Sequence, residues 1–176
     1  MNAYDFDGTI YRGDSTKDFY FFCLFHYPKI IRALPVQIKG AVLFSIRLSS
    51  LKDFKTSFYS FLKYIDDFEK AVSLFWDKYN KKIEKWYLKQ KEKDDVIISA
   101  SPEFLLSEMC QRLGVSNLIA TKIDPLSGKH LSENCKGEEK VRRFKEQFPS
   151  KKINHFYYDS KSDLPMCRLA DFSHII

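Results

Sequence analysis

Asp5-Phe6-Asp7-Gly8-Thr9 decides how the rest of the chain is read. Its two carboxylates lie two residues apart, directly behind a short apolar start, Ala3 and Tyr4. Along a strand, residues i and i+2 face the same way. Where such a strand ends and turns at Gly8, both acids are therefore presented together at its carboxyl tip. Paired carboxylates there suit two tasks, holding a hard divalent cation through oxygen and dividing nucleophile and acid–base roles between them. Asp-Gly is also an ordinary turn dipeptide, and the pentapeptide alone leaves both readings open.

The chain has 176 residues, enough for one domain or one domain with an insert, and 44% of them are hydrophobic against 30% charged. A chain of this length buries a core large enough to need no staples. The four cysteines (Cys23, Cys110, Cys135, Cys167) show no C-x-x-C spacing, so they read as reduced thiols of a cytoplasmic protein. The four histidines are equally scattered, which argues against a transition-metal site. No leader segment is expected before the first strand. The most apolar stretch, residues 30–48, is interrupted by Arg32, Pro35, Gln37, Lys39 and Arg47 and cannot span a bilayer. The net charge of +6 reads as a solvated basic surface.

Two styles of sequence share the chain. Of its 28 aromatic residues, 18 fall between Asp14 and Leu88. Leu51, Phe54, Phe58, Phe61, Ile65 and Phe68 recur at helical spacing, and Val72, Phe75, Trp76, Tyr79, Ile83 and Trp86 repeat the pattern. Asp66 and Asp67 are placed to start that second helix, and Ser15 or Thr16 to cap an earlier one. Pro28 and Pro35 mark starts or kinks. The segment reads as a bundle of about four helices whose aromatic stripes form its core.

Beyond Asp94 short apolar runs alternate with helical stretches. Val96-Ile97-Ile98 ends in Ser99, a helix from Pro102 stops at Gly114, a second strand covers residues 118–122, and Ser127-Gly128 marks a turn. A helix opens at Lys136-Gly137-Glu138-Glu139, and a strand over 153–158 ends in Asp159. A short helix and a last strand follow. This alternation predicts an α/β fold, a doubly wound, Rossmann-like parallel sheet carrying an inserted helical-bundle cap. Residues 1–13 and 90–176 form the expected core domain and 14–89 the expected cap. The core's own apolar strands suggest that it folds without the insert.

In a parallel sheet ligands bind at the carboxyl ends of the strands. Those ends carry Asp5 and Asp7, then Ser99, then Asp159 with Asp163 shortly after, and Lys136 stands at a helix start. The carboxylates alone repel one another, so a cation belongs among them. Magnesium suits carboxylate and water oxygens and leaves positions open for phosphate.

With these residues in hand the chain resembles the haloacid dehalogenase-like phosphatase superfamily, in its phosphoserine-phosphatase-like subfamily with a helical cap. The likeness runs from Asp5 to about Ala170. Asp5-Phe6-Asp7-Gly8-Thr9 is similar to the family's first motif, and Ile97-Ile98-Ser99-Ala100-Ser101 to the second. Cys135-Lys136-Gly137 is similar to the third and Asp159-Ser160-Lys161-Ser162-Asp163 to the fourth. The resemblance implies Asp5 as nucleophile, Asp7 as general acid and base, and Lys136 as the catalytic lysine. It implies substrate contacts from Gly8, Asp14, Ser99 and Lys136, and magnesium held by Asp5, Asp7, Asp159 and Asp163. The expected activity is hydrolysis of a small phosphomonoester through an aspartyl-phosphate, with no nucleic-acid partner and no transmembrane segment.

Three departures narrow the reading. Tyr158 replaces the usual Gly before Asp159, the chain stops at Ile176 where relatives add another strand and helix, and Asp14 takes the place of a Glu that binds the amine of phosphoserine. Residues 54–65 contain no arginine for that substrate's carboxylate, which argues against phosphoserine. Two rival functions remain, a phosphotransferase using the same intermediate and a non-catalytic binding protein whose basic, aromatic lid engages lipid or nucleic acid.

Overall fold

The computed structural model describes residues 1–176. The first strand, β1 (Ala3–Tyr4), is followed by a helical segment: α1 (Ser15–His26), α2 (Leu34–Ser45), α3 (Leu51–Phe58), α4 (Phe68–Tyr79) and α5 (Lys85–Gln90). Then β2 (Val96–Pro102), α6 (Glu103–Leu113), β3 (Asn117–Thr121), α7 (Glu138–Gln147), β4 (Ile153–Tyr158), α8 (Leu164–Cys167) and β5 (Ala170–Ile175) alternate. The five strands form one sheet in the order β3-β2-β1-β4-β5, and every pair is parallel. No helix is long and apolar enough to cross a membrane.

Helix boundaries follow capping chemistry. The cap of α1 is Asp14, not Ser15 or Thr16, because its carboxylate accepts the Lys17 N–H at 2.9 Å. Asp67 caps α4 through the Lys70 N–H, and α6 stops at Gly114, which adopts φ +70°. The helix expected to continue through Phe61 breaks instead into a 3-10 turn over Tyr59–Tyr64, which buries Tyr59, Phe61 and Leu62.

Two apolar clusters cover the two faces of the sheet. One packs Ala3, Val96, Ile98 and Phe156 against Phe144 of α7 and Met166 of α8. The other joins Tyr4 and Ile97 of the sheet and Leu105 and Met109 of α6 to Phe19, Phe75 and Trp76 of the helical segment. The helical segment therefore shares one apolar core with this face of the sheet. Trp76 is fully buried, and its indole N–H donates to the Leu105 carbonyl at 2.7 Å, tying α4 to α6. Trp76→Ala is expected to cost about 3–5 kcal/mol of stability by opening a cavity on that shared face. Urea unfolding of the whole chain should show one transition moved to lower denaturant.

Candidate active site

Strand register brings the motif residues to one edge. Tyr4 pairs with Ile97 on one side and Tyr157 on the other, so Asp5 and Asp159 emerge at the carboxyl ends of adjacent strands, beside Ser99 of β2. The chain after β1 then folds tightly back. Gly8, at φ +76°, donates to the Tyr11 and Gly13 carbonyls. A Cβ on Gly8 would lie 2.0 Å from Asp159 Oδ2, so only glycine lets that carboxylate approach. Gly8 thus shapes the site through its backbone.

Asp5, Asp159 and Asp163 bring carboxylate oxygens within 4.8 Å of one another. Lys140 Nζ lies 2.8 Å from Asp5 Oδ1 and 2.7 Å from Asp163 Oδ1, and the lysine is only 2% exposed. The lysine in contact with the carboxylates is therefore Lys140, not the expected Lys136, which is exposed at the edge of the same cavity. Burial disfavours the charged ammonium of Lys140, but Asp5 and Asp163 outweigh it and raise its pKa. Burial also pushes Asp5 up, with Asp163 acting in the same direction and Lys140 pulling back. Asp159 is raised by burial and by Asp163.

Asp7 points elsewhere. It accepts the Ser15 N–H at 2.7 Å, at the start of α1, and a short hydrogen bond from the Ser101 hydroxyl. Burial lifts its pKa to about 6 against those two donors, close to where one group can both give and take a proton near neutrality. Ser101, unforeseen in the sequence, also meets the Thr16 hydroxyl at 3.1 Å. Ser99 is buried, and its hydroxyl accepts the Ser101 N–H at 3.1 Å.

Two cavities meet at Asp7 and Ala100. The smaller, about 150 Å³, is lined by Asp5, Asp7, Ser99, Lys136, Lys140 and Asp163. The larger, about 330 Å³, lies between the helical segment and the sheet edge, walled by Phe54, Phe58 and Tyr59 with Asp14, Lys17 and Lys55. Lys55 Nζ donates to Asn134 Oδ1 at 2.8 Å, and burial with nearby Lys136 lowers its pKa. The largest concavity, about 690 Å³, runs along β3 between α6 and α7 and contains none of the motif acids. Tyr158 is stacked on Phe156 at 5.5 Å on the sheet face.

A magnesium ion suits this arrangement. Three carboxylates converge around the Gly8 turn, and buried Asp163 Oδ1 has only an ion-pair contact with Lys140 and no hydrogen bond. The all-oxygen donor set is that of a hard cation.

The profile of the haloacid dehalogenase-like hydrolase family matches residues 3–168, and the chain belongs to that family. A histidinol-phosphatase from Neisseria meningitidis is 31% identical over 89 residues, a match covering 44% of this chain and 40% of that one. Among solved structures, a Bordetella pertussis protein of unknown function superposes with a TM-score of 0.70 at 15% identity, over 96% of this chain and 85% of that one. A probable phosphoserine phosphatase from Vibrio cholerae gives 0.61 at 10% identity, over 98% and 55%. At such identities the likeness establishes the fold alone.

Lys140→Gln would leave Asp5 and Asp163 buried without their cation. In metal-free buffer it is expected to cost about 3–5 kcal/mol. Lys136→Gln, at the exposed rim, should stay within about 0.5 kcal/mol of the parent. Denaturant titration of the two variants side by side checks the assignment.

Proposed function

We propose that the chain is a magnesium-dependent phosphatase of small phosphomonoesters, with residues 14–89 capping a core of 1–13 and 90–176. The observation that carries this reading is a pair of carboxylates on one turn held in different surroundings. Asp5 faces Lys140 in the small cavity, while Asp7 is held by Ser101 and the start of α1 at the junction with the larger one.

In the first step an Asp5 oxygen attacks phosphorus in line, the phosphorus–oxygen bond to the alcohol breaks, and protonated Asp7 gives its proton to the leaving oxygen. In the second, water attacks phosphorus while Asp7 takes up a proton, releasing phosphate and free Asp5. Ser99, Lys140 and the rim charge of Lys136 offset the charge on the phosphoryl oxygens, the main source of acceleration in such transfers. Magnesium held by Asp5, Asp159, Asp163 and the Asp7 carbonyl would supply further charge neutralisation at the phosphoryl group. The alcohol portion occupies the larger cavity, whose volume of about 330 Å³ limits it to a small molecule.

Transfer to an alcohol would use the same residues, and product analysis with added alcohols separates it from hydrolysis. A purely binding role is disfavoured by the site itself, since a scaffold gains nothing from carboxylates crowded around a buried lysine.

Asp5→Asn is expected to reduce turnover to background while phosphate still binds. Phosphoryl trapping on any residue other than Asp5 would refute the assignment. Assayed on a panel of small phosphate esters, the parent chain should lose activity with EDTA and regain it with magnesium, and calcium should substitute poorly because of its looser shell. Full turnover after exhaustive chelation would end the metal proposal.

A further inference from the structure

α2 is almost wholly apolar in sequence, Leu-Pro-Val-Gln-Ile-Lys-Gly-Ala-Val-Leu-Phe-Ser, yet it lies at the surface with only Gly40 buried. Its inner side is accounted for. Gly40 faces Ser57 of α3, where a Cβ would fall 2.3 Å from Ser57 Cβ, and Gln37 bonds the Tyr20 hydroxyl and the Phe58 carbonyl. The other side carries Ile38, Val42 and the C-cap residue Ile46, which are 61%, 51% and 57% exposed. Their spacing of four sets them in one stripe. A helix apolar on all sides is ordinarily covered on all sides, and an uncovered stripe marks an interaction surface.

The charges of the stretch that carries this stripe are of one sign, the next acid being Asp53 in the first turn of α3, which is bonded to Ser50. From Phe19 to Lys52 the chain contains Lys29, Arg32, Lys39, Arg47 and Lys52 and not one Asp or Glu. Lys29 and Lys52 reach outside the stretch to Asp66 and Glu133, while Arg32, Lys39 and Arg47 make no ion pair. Arg47 also stands in the left-handed region at φ 60°, closing α2 with the Leu48 N–H on the Leu43 carbonyl at 2.8 Å. Glycine is the favoured residue there, so an arginine is held at a conformational cost.

We propose that the outer face of α2 docks on an anionic lipid bilayer. Ile38, Val42 and Ile46 enter the boundary between headgroups and acyl chains, and Arg32, Lys39 and Arg47 extend to the lipid phosphates. Twelve helical residues reach about 18 Å, so the helix lies along the surface instead of crossing it. A second copy of the chain fits less well, because a two-fold contact would set the same basic residues against each other with no acid in the stretch to meet them. Phosphate backbones of nucleic acid would find an apolar stripe at the centre of the contact.

Flotation of the full chain with phosphatidylcholine vesicles, with and without phosphatidylglycerol, tests this. The chain should float only with the anionic vesicles, and added salt should release it. The double variant Ile38→Ser, Val42→Ser should bind those vesicles at least about tenfold more weakly, the apolar area lost being worth that much. Arg47→Gly should also bind more weakly while melting no lower than the parent, since it removes a charge and relieves the left-handed arginine. Circular dichroism melts confirm that both variants fold. Equal flotation with neutral vesicles, absence of flotation with either, or undiminished binding by the folded variants would overturn the proposal. So would a dimer in lipid-free buffer that Ile38→Ser, Val42→Ser dissociates, which would assign the face to a second copy.

Discussion

A single ammonium group organises the carboxyl edge of the sheet. Lys140 Nζ sits within 2.8 Å of both Asp5 and Asp163, all three nearly inaccessible to water. Removing these charges from solvent is costly, and a buried ion pair recovers that cost only with good geometry. Rigid elements provide it. α7 carries Lys140 one turn before Phe144, whose ring packs under the sheet with Phe156 and Ile153, and the same packing fixes the reach of the lysine. With Asp159 added, the negative charge exceeds what one lysine neutralises, and that surplus makes the edge receptive to a divalent cation.

The second organising feature is the reversal after Asp7. Gly8 turns the chain so that Asp159 can close over it, and Tyr11, stacked on Phe6, anchors the return within the core. The start of α1 then donates its Ser15 N–H to Asp7, a favourable place for a carboxylate at a helix N-terminus. The two acids of one pentapeptide thereby acquire different surroundings, Asp5 beside a cation and Asp7 between neutral donors. The two residues are identical, and only their environments differ.

Much of this was legible in the chain itself. Period-two carboxylates before a glycine, strands alternating with helices, and Gly114 as a helix stop depend on local chemistry and reappear in the structure. The lysine that contacts the carboxylates is not the one the motif singled out, for an identifiable reason. Lys136 stands beside Gly137 as the family pattern suggests, whereas Lys140 is revealed by periodicity, as a lysine four residues before Phe144 on the apolar face of α7. Ser101 and the meeting of His155 with His174, 3.0 Å apart across β4 and β5, depend on strand register between distant segments. The periodic aromatics were read uniformly as core, but Phe54 and Phe58 wall the larger cavity. Apolar periodicity reports that a face is covered; it does not report whether protein, ligand or another surface covers it.

The distribution of burial also limits how the larger cavity can open. α1, α4 and α5 each commit buried aromatics to the cluster on the sheet, so displacing them would expose the core. α3 has no fully buried residue, and α2 contributes only Gly40. Elements with little buried apolar surface open at the lowest free energy. Phe54, Lys55 and Phe58 on α3 line the cavity directly, and α2 is locked to α3 by the contact of Gly40 with Ser57. α2 and α3, packed together at Gly40 and Ser57, are therefore the elements of the helical segment whose displacement would expose least core. Ser15 and Thr16 remain with the start of α1, Ser15 donating its N–H to Asp7 and Thr16 meeting the Ser101 hydroxyl that donates to the same carboxylate.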